Sequence, residues 1–215
     1  MSKSGKRAGI VATVVVLAAG AVVVGVWKPW HTASVTLPQS ACWGILGPDD
    51  IRPLEGTDGT ATAVSLTDSM VAPPLKSPNG HMDGIYACEV KWQGAAIAEA
   101  GVSGAGDDAI TTAKSQGDPL QAIPLAPGVL LAPNGDAVNI YFRCEGIQGG
   151  WTYGDAHAGA MHGGVNQTSF GTESERNAYA NIALKIAKAA AAQIPCTNHP
   201  AFPSSAPALK MYKPF

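Results

Sequence analysis

Charge is scarce in this 215-residue chain: Asp, Glu, Lys and Arg make up 14% of it, against about 25% in an ordinary soluble protein. The net charge is −2 and no acidic or basic block occurs. That excludes the basic field needed to hold nucleic acid and the charged tails that act as interaction arms. No C-x-x-C is present, so a zinc ribbon lacks its ligands and a thioredoxin-type pair its dithiol. No H-E-x-x-H occurs, and no glycine-rich stretch leads into the Lys-Ser/Thr of a phosphate-cradling loop. Large apolar side chains are also few after residue 27. The remaining 188 residues contain 11 Leu, 11 Ile, 8 Val and 4 Phe, a thin core filled out by alanine.

What is present begins with an uncharged run. From Ala8 to Trp27 twenty residues pass without a charge, about 30 Å of helix and the thickness of a bilayer core. Lys3, Lys6 and Arg7 precede it and Lys28 follows. The positive-inside rule then places residues 1–7 in the cytoplasm and everything after Lys28 outside. The run is longer than a cleavable h-region and leads into WKPWHTAS without an A-x-A site. An uncleaved signal anchor across the lipid bilayer is therefore expected, with a cleaved signal peptide as its competitor. A lipid anchor is excluded because no cysteine precedes Cys42.

All four cysteines, Cys42, Cys88, Cys144 and Cys196, follow the anchor. Outside the cytoplasm they read as two structural disulfides, and four cysteines allow three connectivities that spacing does not resolve. Residues 28–40 read as a stalk, 41–199 as the outer domain and 200–215 as a proline-rich tail that is either wrapped or disordered. In the domain, Pro48-Asp49-Asp50 signals a helix start, with Ile51 and Leu54 facing inward. Residues 78–94 (PNGHMDGIYACEVKWQG) echo 133–149 (PNGDAVNIYFRCEGIQG). Each is an Asn-Gly turn leading into a strand-like run, which suggests an internal repeat. The second block has one extra residue before its cysteine, so side-chain facing flips unless a bulge absorbs it.

Gly94–Gly117 is rich in Ala, Gly and Thr, with a short helix expected around Asp107–Lys114. Gly128–Ala132 is expected to pair with the strand after Asn134-Gly135. Glu173–Gln193 is the clearest helix: Thr172 and Glu175 form a capping box, and Tyr179, Ile182, Ala183, Ile186 and Ala190 share a face. The fold class is α+β: an antiparallel sheet with this one long C-terminal helix packed on it, two disulfides, and a preceding transmembrane helix.

Candidate chemistry is sparse. Asp155, His157 and His162 lie in GDAHAGAMHGG and could ligate a metal. Their spacing is not that of a helical zinc pair, and the glycine-rich stretch reads as a mobile loop with solvent-facing histidines. Ser103 in GVSGAG misses the nucleophile-elbow pattern by one position. Glu89 and Glu145, at equivalent places in the two blocks, or Glu173 and Glu175, could supply a carboxylate pair for glycoside hydrolysis; side chains pointing to solvent are the simpler reading. Trp43, Trp92, Trp151, Tyr86, Tyr141 and Tyr153 could stack a ligand, or simply supply the core.

The opening C-W-G-x-L-x-x-x-D-I-x-x-L (Cys42 to Leu54) resembles uncharacterised membrane-anchored or secreted proteins of high-GC Gram-positive, actinobacterial type. So does the closing pattern, in which Cys144 precedes an Ala-rich helix ending in Cys196. The resemblance implies the pairings Cys42–Cys88 and Cys144–Cys196; Cys88–Cys144 is the competing bond. The reading that follows is a membrane-anchored extracytoplasmic binding or interaction protein, non-enzymatic and without a cofactor. Its partners would be the bilayer, through Ala8 to Trp27, and a cell-envelope protein or polysaccharide. The alternative is a cell-envelope hydrolase using a carboxylate pair or an Asp155/His157/His162 metal site.

Overall fold

The structure, a computed structural model, describes residues 34–55, 59–66, 86–117, 121–134, 137–145, 152–160, 172–194 and 196–209. The expected anchor, residues 8–27, lies outside these, as do residues 78–85 of the first repeat block. No helix among the described residues is long and apolar enough to cross a membrane.

Eight strands occur among the described residues: β1 (Val35–Thr36), β2 (Gly59–Ser65), β3 (Tyr86–Trp92), β4 (Ala95–Ala105), β5 (Ile123–Ala126), β6 (Val129–Asn134), β7 (Ala137–Arg143) and β8 (Tyr153–Ala160). They form one sheet in the order β1-β2-β3-β4-β8-β7-β6-β5. Every pairing is antiparallel except that of β1 with β2, where Val35 and Thr36 of the expected stalk run parallel to Gly59 and Thr60. The sheet is thus mixed at one edge, not purely antiparallel. Helices are α1 (Pro48–Ile51, continued by the 3-10 turn Arg52–Leu54), α2 (Asp107–Ser115) and α3 (Glu173–Gln193).

The two repeat blocks contribute β3 and β7, the middle strands of the meanders β2-β3-β4 and β6-β7-β8. The turn from β3 to β4 is Gln93-Gly94, both with positive φ (51° and 85°), the backbone of a tight hairpin whose twist matches its strands. Pro133 sits inside β6 opposite Val138. The outer neighbour β5 pairs only with Val129 to Leu131, so the missing N–H faces no strand.

Four strands were not expected: β2, β5, β4 and β8. Residues 95–105 form β4, the longest strand, and the stretch read as a glycine-rich mobile loop forms β8, between β4 and β7. For these last two the physical reason is the cover. α3 packs across β8, β7 and β4, and the residues on that face of β8 and β4 are mostly small: Gly154, Ala156, Ala158, Ala98 and Ala100, with Val102 the larger exception. The bulk comes instead from β6 and β7, where Val129, Leu131, Val138, Ile140 and Phe142 are buried on the same face.

The capping box of α3 is formed: Thr172 Oγ1 accepts from Glu175 N at 3.2 Å, and Glu175 Oε2 accepts from Thr172 N at 2.5 Å. The five inward residues read from the sequence are all buried, and so are Ala180, Leu184 and Ala187. The helix has a second cover. The 3-10 turn and α1 pack on it, and residues 197–209 return along it, with Asn181 Oδ1 accepting from Ala206 N (3.0 Å) and Asn177 Oδ1 from Leu209 N (2.7 Å). Phe202 of this segment meets Phe142 edge to face at 5.7 Å. The described part of the tail is therefore wrapped.

Both disulfides follow the expected pairing. Cys42–Cys88 joins the 41–46 turn to β3 with Cα atoms 5.3 Å apart, and Cys144–Cys196 joins the end of β7 to the residue group after α3 at 4.8 Å. Cys88–Cys144 is ruled out by topology. With β4 and β8 between them, β3 and β7 stand about 14 Å apart, beyond the roughly 7 Å a bridge tolerates. The two bonds indicate an oxidising, extracytoplasmic environment.

Candidate functional site

Side chains alternate across a strand, and cross-strand partners share a face. On β8 this sends Gly154, Ala156 and Ala158 toward α3 and Tyr153, Asp155 and His157 to the opposite face. The register adds Glu89 of β3, Glu99 and Ser103 of β4, and Asn139 and Tyr141 of β7 to that second face. A polar array thus crosses four adjacent strands.

Its contacts are specific. Asn139 Nδ2 donates to Asp155 Oδ1 (2.9 Å) and Oδ2 (3.1 Å). His157 Nε2 lies 3.7 Å from Glu99 Oε1. Glu99 is directly opposite Glu89, a like-charge pairing that costs stability and that Lys91 offsets from 3.2 Å on Glu89 Oε2. Burial holds the Asp155 carboxyl above its ordinary range, while the Asn139 hydrogen bond and His157 oppose the rise. Burial, reinforced by the Asp155 charge, pushes the Tyr141 phenol up to about 12. Tyr141 is therefore a fixed donor at any physiological pH. Two adjacent groups of the array, Asp155 and Tyr141, are thus shifted by burial and by their neighbours, a feature that recurs at functional and structural polar clusters alike.

The other candidates disperse. Glu89 lies on this face, but Glu145 follows β7, where its carboxylate is 3.4 Å from Arg143 Nη2 and its N–H donates to Asn198 Oδ1. Two strands separate them, so they form no catalytic pair. Glu173 and Glu175 occupy the first turn of α3, as dipole and capping residues. Ser103 is registered opposite Asp155. Asp155 and His157 share the face, as the metal reading required, but His162 lies outside the described residues, and among those described no group of three His, Cys, Asp or Glu is placed to hold a metal. Tyr141 and Tyr153 are on the polar face, whereas Trp43 and Trp92 pack against the core. Trp151 and the side chain of Tyr86 lie outside the described residues.

Asn139, Glu99 and the role of Tyr141 were not singled out from the sequence. The available signal was the strict alternation of β8, in which Tyr153, Asp155 and His157 are interleaved with Gly154, Ala156 and Ala158.

An open depression of about 440 Å³ lies elsewhere, between α1 and the first four turns of α3. Its polar lining is Asp49, Asp50, Ser174, Asn177, Asn181 and Lys185, over Pro53 and Ala178. Lys185 Nζ contacts both oxygens of Asp50, at 2.6 and 2.7 Å.

Comparison of the chain with family models, curated proteins and solved structures gives no match.

Proposed function

We propose that the chain is an extracytoplasmic binding domain, tethered by residues 8–27, that recognises a cell-envelope polysaccharide through the sheet face opposite α3. The observation that carries this reading is the array Glu99–His157–Asp155–Asn139–Tyr141. A carbohydrate is met by planar polar groups that bond adjacent hydroxyls and by an aromatic ring for its C–H face. Asn139, Asp155 and His157 supply the first, and Tyr141 and Tyr153 the second. A protein partner fits less well, because beside its two tyrosines this face presents charged and amide groups rather than exposed large aliphatic side chains. The exposed large aliphatics among the described residues are only Val64 and Leu66, at the far β2 side.

A second reading, a hydrolase, is favoured by one observation: the raised Asp155 carboxyl has the character of a general acid. The non-enzymatic reading is supported by the surroundings of Asp155 among the described residues, where it meets Asn139 and His157 rather than a second carboxylate.

The test is incubation of the full-length chain in neutral detergent with purified envelope polysaccharide. Retention of intact polysaccharide, lost in Tyr141→Ala, is expected. Shortened glycan products, lost in Asp155→Asn, would replace binding by hydrolysis.

A further inference from the structure

The two edges of the sheet are built differently. At one, β5 is four residues long and carries Pro124, the short, proline-bearing strand by which an edge resists pairing with another chain. At the other, β2 has no such guard. Neither a charge nor a proline occurs from Gly59 to Thr67, the pairing with β3 runs without a bulge, and β1 covers only Gly59 and Thr60. Beyond Thr60, no described residue pairs with the outer side of β2. Two hydrogen bonds fix which main-chain groups face outward. Thr60 O accepts from Gln93 N, and Leu66 N donates to Ala87 O, so Thr62, Val64 and Leu66 bond to β3. Alternate residues of an antiparallel ladder direct both N–H and C=O to one side. Ala63 and Ser65 therefore present theirs outward. Val64 and Leu66, 42% and 54% exposed, are the large hydrophobics left open among the described residues, and both lie on this edge.

We infer that this edge is a self-association site, on which a second copy of the chain adds its own β2 antiparallel to the first. One register meets every requirement together. With Val64 opposite Val64 of the second copy, Ala63 stands opposite Ser65 and Ser65 opposite Ala63. The outward N–H and C=O groups of both residues are then bonded. Leu66 falls opposite Thr62 and diagonal to Val64 of the second copy, within side-chain reach, so the four exposed aliphatics of the pair close into one cluster. A two-residue shift one way sets Leu66 opposite Thr60, whose outer side β1 already covers. A shift the other way moves Ala63 past the end of the facing strand. Charge favours the same occupant. An uncharged edge meets its own copy without repulsion, whereas a partner selected by charge has nothing here to hold.

The contact is isologous and closes at two copies, because each β2 edge is used up and β5 is guarded. A strand edge is a small interface, so the dimer is a reversible one. Its two-fold axis runs perpendicular to the sheet, which sets the polar faces of both copies on the same side. This inference stands on the edge alone and does not depend on what the polar face recognises.

All four native cysteines are bonded, so a cysteine introduced on the edge finds a free thiol only on another copy. The experiment is oxidative cross-linking of the full-length Thr62→Cys, Val64→Cys and Leu66→Cys chains in neutral detergent, read as covalent dimer without reductant. In Val64→Cys the two thiols stand on a directly opposed pair with Cα atoms about 4.5 Å apart, within the reach of a disulfide. This variant should cross-link at least tenfold faster than Thr62→Cys or Leu66→Cys alone, whose counterparts lie four residues out of step, about 13 Å along the strand. Mixing Thr62→Cys chains with Leu66→Cys chains should restore the fast rate. Equal rates for the three single variants, a fastest rate in a mixture of Val64→Cys with Leu66→Cys, or no dimer from any of them would each overturn the assignment.

Discussion

The ring of Phe142 fills the space over Gly154: a β-carbon on Gly154 would stand 2.2 Å from Phe142 Cζ. These two residues are cross-strand partners on the α3 face, and Phe142 is in turn capped by Phe202 of the returning tail. Large and small side chains therefore alternate from β7 to β8, and α3 can approach the small side closely. Gly154→Ala should cost about 1–3 kcal/mol, the scale of forced overpacking. Denaturant unfolding measures it, and adding Phe142→Leu to the same chain should recover part of the loss.

Asp155 makes a pH-dependent prediction. Its folded value is raised above the ordinary 3.8, chiefly by burial. The folded state therefore holds the proton more tightly than the unfolded state. The associated stability is present below about pH 4 and is lost as pH rises through the folded value. At neutral pH the buried carboxylate is a cost to the fold. Asp155→Asn keeps an Asn139 partner and should be more stable than the parent at pH 7 by about 1 kcal/mol. The difference should vanish near pH 3. Thermal unfolding across pH 3 to 8 checks the sign.

The Cys144–Cys196 bond closes a separation of 52 residues. The segment beyond it is clasped to β7's end as well: Thr197 N donates to Glu145 O at 2.8 Å, and Asn198 Nδ2 to Arg143 O at 2.9 Å. Replacing both cysteines by alanine should cost roughly 2–4 kcal/mol. Hydrogen exchange should rise first in the last turns of α3 and in residues 197–209.

Asn177 and Asn181 are one helical turn apart, and each accepts a tail amide. Asn181→Ala should lower stability by about 1 kcal/mol, the net worth of a typical hydrogen bond, and speed exchange at the Ala206 amide. Asn177→Ala should do the same at Leu209.

Which parts were legible in the sequence follows from where each signal resides. The signal for α3 is local: a capping box and a 3.6-residue apolar period. The β6–β7 hairpin is local as well, since Asn134 and Ala137 flank its turn. Nothing local announces β4 or β8. Their strand character comes from neighbours that supply the ladder and from a helix that demands small residues, so Ala and Gly stand where Val and Ile would mark a strand. Losing β8 from the reading also lost the site, because Asp155 and His157 meet Glu99, Asn139 and Tyr141 only when residues 153–160 are extended. The extra residue before Cys144 behaves in the same non-local way. No bulge interrupts β7's pairing with β6 or β8; the irregularity lies between β3 and β4, where Val90 and Lys91 pair with Ala98 and Ala96 and Ile97 of β4 is the extra residue.

The central claim, recognition by the sheet face, is tested most directly by mapping which amides respond to envelope polysaccharide fragments in a backbone NMR titration of the full-length chain. The account predicts shifts concentrated at Glu99, Asn139, Tyr141, Asp155 and His157, abolished by Tyr141→Ala, with the α3 amides unmoved. Saturable binding whose shifts fall on α3 and the 197–209 segment, with the five sheet residues silent, would contradict it.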